Sequence, residues 1–231
     1  MKRYAVYYAP PAGSALDRFG RQWLGRDAST GVAVVPHAVD GITSSRLSEL
    51  TAEPRRYGFN GTLKPPFALA DGMTADELRA ALHRFARRRG RVAAGPLRLA
   101  EIGRFLALVP ADACLPLHEL AADVVEAFDR FRRPPDEEEL SRRRAAGLTV
   151  RQDANLVAWG YPYVMEDFRF HLTLTGPLAD GEEKEILKRH LSAQASCSSD
   201  VPLVIEDLVL FTQTRHDEPF EIVERARLAG P

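Results

Sequence analysis

Cysteine is scarce in this sequence: Cys114 and Cys197 stand alone, far apart and in no CxxC pattern. A disulfide framework and a paired-cysteine metal site are thereby excluded, and two reduced thiols of largely apolar character suit a bacterial cytoplasmic chain. Long hydrophobic runs are missing too. No window approaches the roughly 18 apolar residues of a membrane span. The apolar stretch after Met1-Lys2-Arg3 is broken by Pro10, Pro11 and Asp17 before a signal-peptide core is complete. Nor is there an excess of either charge, since 31 Lys and Arg stand against 32 Asp and Glu, a net charge of -1. That balance removes the electrostatic footprint of a general nucleic-acid binder and leaves a small anion, held at a local positive site, as the ligand class still open. The chain also lacks GxxxxGKS/T, a strand-linked GxGxxG and H-E-x-x-H. Nothing therefore points to a nucleoside triphosphate, a dinucleotide, a metal or another cofactor.

What is present is a globular composition, 45% hydrophobic and 27% charged, in a chain long enough to bury roughly 70 to 75% of its extended surface without a covalent staple. Tyr4 to Tyr8 reads as a strand. Ser14 to Leu24 reads as a helix with Leu16, Phe19, Trp23 and Leu24 in one stripe. Thr74-Ala75-Asp76-Glu77 is a capping box, followed by Leu78, Leu82 and Phe85 at helical spacing. Leu97 to Ile102 and Phe105 to Val109 suit a hairpin about Gly103. Leu115 to Trp159 reads as three helical pieces, broken at Pro134-Pro135 and stopped at Gly160. Phe168 to Thr175 is the next strand, Glu182 to Leu191 a helix, and Leu203 to Phe211 and Phe220 to Leu228 the last two strands. The β-α-β-β order of this tail repeats that of Asn60 to Leu69, the helix after Thr74 and the hairpin. The fold expected is α+β: one duplicated, bilobal domain over 1–231, with two small antiparallel sheets facing a central cleft and helices outside. Its N-terminal half runs to about 112, a helical insertion covers about 113–160, and the C-terminal half covers about 161–231.

Two strands carry groups with chemistry. In Phe168 to Thr175, period-two alternation sets Phe168, Phe170, Leu172 and Leu174 on one side and Arg169, His171, Thr173 and Thr175 on the other. A guanidinium, an imidazole and hydroxyls in one row can hold and protonate a phosphate, although threonines on a solvated strand are also favoured by strand propensity alone. In the equivalent strand of the first half, Asn60, Thr62 and Lys64 alternate with Phe59, Gly61 and Leu63. The two faces together would line a ligand cleft.

Tyr57-Gly58-Phe59-Asn60-Gly61-Thr62-Leu63-Lys64-Pro65-Pro66-Phe67, Trp159-Gly160-Tyr161-Pro162-Tyr163 and Phe168 to Leu178 resemble the signature stretches of the 2H phosphoesterase superfamily. More narrowly, they resemble its branch encoded beside phosphonate-degradation genes. The resemblance implies metal-free cleavage of a phosphodiester, often cyclic. Each half supplies an H-x-T/S motif there, one His acting as base, the other as acid, with the hydroxyls on phosphate oxygens. An imidazole of pKa about 6.5 serves either role near neutrality. His171 and Thr173 match the second motif; Thr62 matches the hydroxyl of the first, but Asn60 stands where the other His is expected, and an amide cannot shuttle a proton.

Asn60-Gly61 can be read as a hairpin turn, as a formal glycosylation sequon without a secretory context, or as a cleft amide that orients phosphate. Lys64 and Arg169 are candidate cations for a second phosphate, and Tyr57 and Tyr163 candidate walls for a base or sugar, each with a bland alternative as strand-end charge or packing ring. Arg87 to Arg91 reads either as a basic helix end or as a contact for RNA ends or an acidic partner. Three functions follow: a hydrolase of a small ribose or nucleotide cyclic phosphate, a catalytically impaired phosphate-ligand binding or accessory protein, and an RNA-terminus binder.

Overall fold

The computed structural model describes residues 1–145, 147–198 and 202–230, the side chains of 195–198 excepted. Along the chain run β1 (Arg3–Tyr8), α1 (Ala15–Leu24), α2 (Ser44–Leu50), α3 (Ala52–Tyr57), β2 (Gly61–Phe67), α4 (Ala75–Ala86), β3 (Val92–Gly95), β4 (Leu97–Ile102) and β5 (Phe105–Pro110). There follow α5 (Leu115–Asp129), α6 (Glu137–Arg144), α7 (Val150–Trp159), β6 (Leu172–Thr173), α8 (Glu182–Ser198), β7 (Leu203–Ile205), β8 (Asp207–Gln213) and β9 (Glu221–Arg227). The helix ends are set locally. Ser14, Thr74, Asp136 and Thr149 accept backbone N–H bonds at their N-termini, with full capping boxes at Thr74/Glu77 and Thr149/Gln152. Gly25 and Gly160 close α1 and α7 in the left-handed conformation.

All named pairings are antiparallel, giving the α+β class expected from the sequence. Seven strands lie in the order β4-β5-β6-β2-β1-β8-β9, and β3 pairs with β7 apart from them. The order reads outward from its centre as β2-β1-β8 on one side and β6-β5-β4 on the other, β9 being added at an edge. Chain order matches: β1, β2, α4, β3, β4 is followed by β5, β6, α8, β7, β8. Each arm takes an outer strand from the other half, since β8 lies on β1 and β4 on β5, while α4 packs on β8 and β9 and α8 on β4. The helices at 113–160 thus occupy, between β5 and β6, the place that α1 to α3 occupy between β1 and β2.

One large core unites Val6, Trp23, Leu63, Leu108, Leu172 and Leu208 beneath the helices. A second, smaller cluster of Ala5, Tyr7, Val209, Phe211 and Phe220 covers the opposite face at β1 and β8. The strand expected over 168–175 contracts to two residues because the chain leaves a 3-10 turn (Met165–Asp167) just before it, and beyond it the Thr175 hydroxyl, not a backbone carbonyl, satisfies the Leu106 N–H at 3.0 Å. The run expected over 203–211 divides at Glu206, its first part pairing with β3 and its second with β1 and β9. Among the described residues, no helix is long and apolar enough to cross a membrane.

Candidate active site

The two motif strands meet at the centre of the sheet. Gly61 pairs with Leu172, so the antiparallel register, continued one step to either side, sets Thr62 opposite His171 and Asn60 opposite Thr173. Leu172 and Leu174 enter the large core while His171 and Thr173 stay half-buried on the reverse face, where Tyr7 flanks Thr62. Neighbours opposite each other lie about 4.5 to 5.5 Å apart at Cβ, which suits side chains converging on one small anion. Among the described residues the hydroxyls of Thr62 and Thr173 make no hydrogen bond of their own, so both can donate. Thr175 is fully buried and already holds the Leu106 N–H.

His171 is fixed by Nδ1, 2.7 Å from the Arg169 carbonyl. A carbonyl only accepts, so Nδ1 carries the proton and Nε2 keeps its lone pair. Burial, with the Phe105 ring 5.6 Å away, pulls the imidazole pKa below its ordinary 6.5, partly opposed by the bond to Arg169. The neutral ring is a base at physiological pH. Asn60 repeats half of this arrangement: its Nδ2 donates to the Gly58 carbonyl at 2.9 Å, again two residues upstream, and to the Tyr57 carbonyl at 3.1 Å. Both amide hydrogens are thereby used, and Oδ1, an acceptor, is what Asn60 has left. It keeps the anchor of a histidine without the second nitrogen, and it has no donor for a phosphate oxygen.

Gly61 is dictated by close approach. A Cβ there would lie 2.4 Å from the Phe170 ring, which fills the space under β2. Lys64 is not a cleft cation. The β1–β2 register shifts between Thr62 and Lys64, Tyr7 facing Thr62 but Val6 facing Lys64, so the bulge turns Lys64 to the core side. It is 1% exposed, donating from Nζ to the Val125 carbonyl at 3.0 Å and to Asp129 at 3.2 Å. Burial lowers its pKa to about 8 against the pull of Asp129. Burial raises the Asp129 carboxyl in turn, but Arg132 and Lys64 bring it below its ordinary value. Tyr57 stacks on Phe220 with ring centroids 5.3 Å apart, and Tyr163 is 46% exposed against Tyr161. Arg169 is exposed and lines a cavity of about 370 Å³ beside His171, together with Arg98. Arg98 and Tyr7 were not singled out by sequence reasoning, though alternation in Leu97-Arg98-Leu99-Ala100 turns Arg98 away from the core.

The two motif strands thus pair at the centre of an antiparallel α+β scaffold whose two halves repeat one order of elements. The chain belongs to the family described as a protein of unknown function, DUF1045, whose profile matches residues 62–221. It is 36% identical over 233 residues to ribose 1,5-bisphosphate phosphokinase PhnN of Janthinobacterium sp. (strain Marseille), covering all of this chain and 51% of that protein. It is 33% identical to the protein of the same name from Laribacter hongkongensis (strain HLHK9), over 95% of this chain and 50% of that one. The chain therefore spans about half the length of these curated relatives. Among solved structures it is similar to E. coli LigT complexed with 3'-AMP (TM-score 0.43, 12% identity, 99% of this chain and 98% of that one). It is also similar to a protein titled phosphoesterase (TM-score 0.42, 11% identity, 99% of each).

Proposed function

We propose that this chain hydrolyses a small cyclic phosphodiester, a ribose or nucleotide cyclic phosphate, in the cytoplasm and within phosphonate metabolism. The observation that carries the reading is the central pair of Thr62 and His171, with Thr173 beside it. Thr62 and Thr173 donate to the non-bridging oxygens, where charge collects in the transition state. His171 Nε2 takes the proton of the attacking water as its oxygen bonds to phosphorus. The ring P–O bond breaks, and the freed oxygen remains on the same molecule, yielding a monoester. Among the described residues no side-chain acid stands opposite His171, so that oxygen takes its proton from solvent. One imidazole without a carboxylate is a poor donor set for a divalent ion, which fits a reaction independent of metal. The name of the curated relatives supports a ribose ester, because opening a cyclic phosphate of ribose 5-phosphate gives a ribose bisphosphate.

Asn60 specifically favours a second reading, a protein that binds the phosphorylated ligand with little turnover, since loss of one acid or base costs roughly 10² to 10⁴ in rate. Phosphorus NMR of ribose cyclic phosphates and 2',3'-cyclic nucleotides with the purified chain in excess chelator separates the two. Turnover that persists with chelator supports the hydrolase. Tight binding without turnover overturns it in favour of the binding protein, and a preference for RNA ends with steep salt dependence overturns both.

A further inference from the structure

Of the three tyrosines in β1, Tyr4 and Tyr8 enter the large core, and Tyr7 alone stands on the reverse face beside Thr62. Its ring is fixed there by Phe211 and Phe220, at 5.0 and 6.3 Å between centroids, and the residue is 1% exposed. A phenylalanine would pack as well. Among the described residues the Tyr7 hydroxyl makes no hydrogen bond, so neither packing nor pairing accounts for it, and a phenol taken out of water without a partner costs stability. Yet its oxygen is not among the fully enclosed atoms left without a partner; it opens on the reverse face. Burial holds its pKa well above 10, with the Tyr57 and Tyr161 phenols adding to the rise and Arg3 opposing it. The hydroxyl keeps its proton, a donor without an acceptor.

Register gives Tyr7 its place in the site. It pairs with Thr62, and Thr62 stands opposite His171, so the three residues form one row across β1, β2 and β6, with about 10 Å between the outer backbones. A phosphate seated over Thr62 has His171 on one flank and Tyr7 on the other. An in-line displacement needs that opposition, because water enters from the side of His171 and the leaving oxygen departs from the far side. Asn60 is the diagonal neighbour of Tyr7, about 7 to 8 Å away at the backbone and within the span of an aromatic side chain.

We infer that the Tyr7 hydroxyl donates a hydrogen bond to the leaving oxygen, on the side of the site where Asn60 has no donor to offer. It takes no part in the proton balance. As the ring P–O bond breaks, negative charge gathers on the departing oxygen; Tyr7 holds that charge with its own proton in place, and solvent protonates the oxygen. The inference rests on the phosphodiesterase reading, and leaving groups of different basicity separate the two failures. The probes are cytidine 2',3'-cyclic phosphate and ribose 1,2-cyclic phosphate, which release a sugar alkoxide, and bis(p-nitrophenyl) phosphate, which releases a stabilised phenolate. In Tyr7→Phe, kcat on the cyclic esters is expected to fall about ten- to a hundredfold with KM within about twofold, since this bond strengthens only in the transition state. On the nitrophenyl ester the fall should stay within about threefold, because its leaving oxygen gathers little charge. The melting temperature should be no lower than that of the wild type. A loss confined to KM, an equal loss on both kinds of ester, or no loss overturns the role of Tyr7 and leaves the hydrolase reading intact. If the wild type turns over none of them, that reading fails by itself, and calorimetric binding of the two cyclic esters decides for Tyr7. Affinity about tenfold weaker in Tyr7→Phe supports a hydroxyl on the bound ester. Equal affinity, or no binding to either protein, overturns it.

Discussion

β2 and β6 meet at the middle of the sheet, and each begins beside a side chain anchored to the carbonyl two residues earlier, Asn60 on one and His171 on the other. Only His171 has a nitrogen beyond the anchor. The difference teaches that the structural and chemical duties of such a histidine are separable. An amide can hold the backbone in place, but proton transfer needs the second ring nitrogen. The arms also differ in support: β2 runs seven residues and is tied to α5 through Lys64, whereas β6 has two, fastened by Trp23 Nε1 to the Leu174 carbonyl at 2.7 Å.

The comparison breaks most completely if the strands are made alike. His171→Asn can reuse the Arg169 carbonyl, so turnover should fall about 10²- to 10⁴-fold with the melting temperature unchanged. A parallel loss of stability would mark His171 as a packing residue instead. The reverse change sharpens it. In Asn60→His, Nδ1 takes the Gly58 carbonyl and Nε2 faces the leaving oxygen; turnover of esters with poor leaving groups is expected to rise about 10²-fold. The pH profile reports the same asymmetry. Wild-type kcat/KM rises as pH climbs through the His171 pKa, below 6.5, and then stays flat because no acid must remain protonated. The Asn60→His profile gains a falling alkaline limb.

A smaller effect is expected where β2 lacks a side chain and its partner has Leu172. Gly61→Ala drives a methyl into the Phe170 ring and should cost about 1 to 3 kcal/mol in urea unfolding. Activity should fall no further than the unfolded fraction explains.

Much of this was legible in the sequence. Alternation in Phe168 to Thr175 set His171 and Thr173 on the face away from the core, the Thr74 capping box marked the start of α4, and Gly160 marked the end of α7. What escaped was long-range. That the motif strands pair with each other, and that β8 crosses to β1 and β4 to β5, depends on pairings between distant segments that local periodicity does not encode. Parity misplaced Lys64 because a bulge inserts one residue, and its position came from the pairing of β2 with β1, not from β2 itself. The Asn60 anchor was likewise invisible, since it depends on where the Tyr57 and Gly58 carbonyls point.

The Lys64 tie gives the smallest and most direct check on the support of β2. Burial lowers this lysine from 10.5 to about 8, so between those values the folded chain has lost a proton that the unfolded chain keeps. The unfolded state binds more protons there, and stability from this group therefore rises with pH. Between pH 7 and 9 the gain is about 1 kcal/mol, one pKa unit of difference being worth about 1.4. Lys64→Met removes the group, so the stability of wild type relative to the variant should climb by that amount over the same interval in paired urea titrations. A constant difference would mean that Lys64 titrates as a solvated amine. The bulge after Thr62 would then be held by backbone pairing alone.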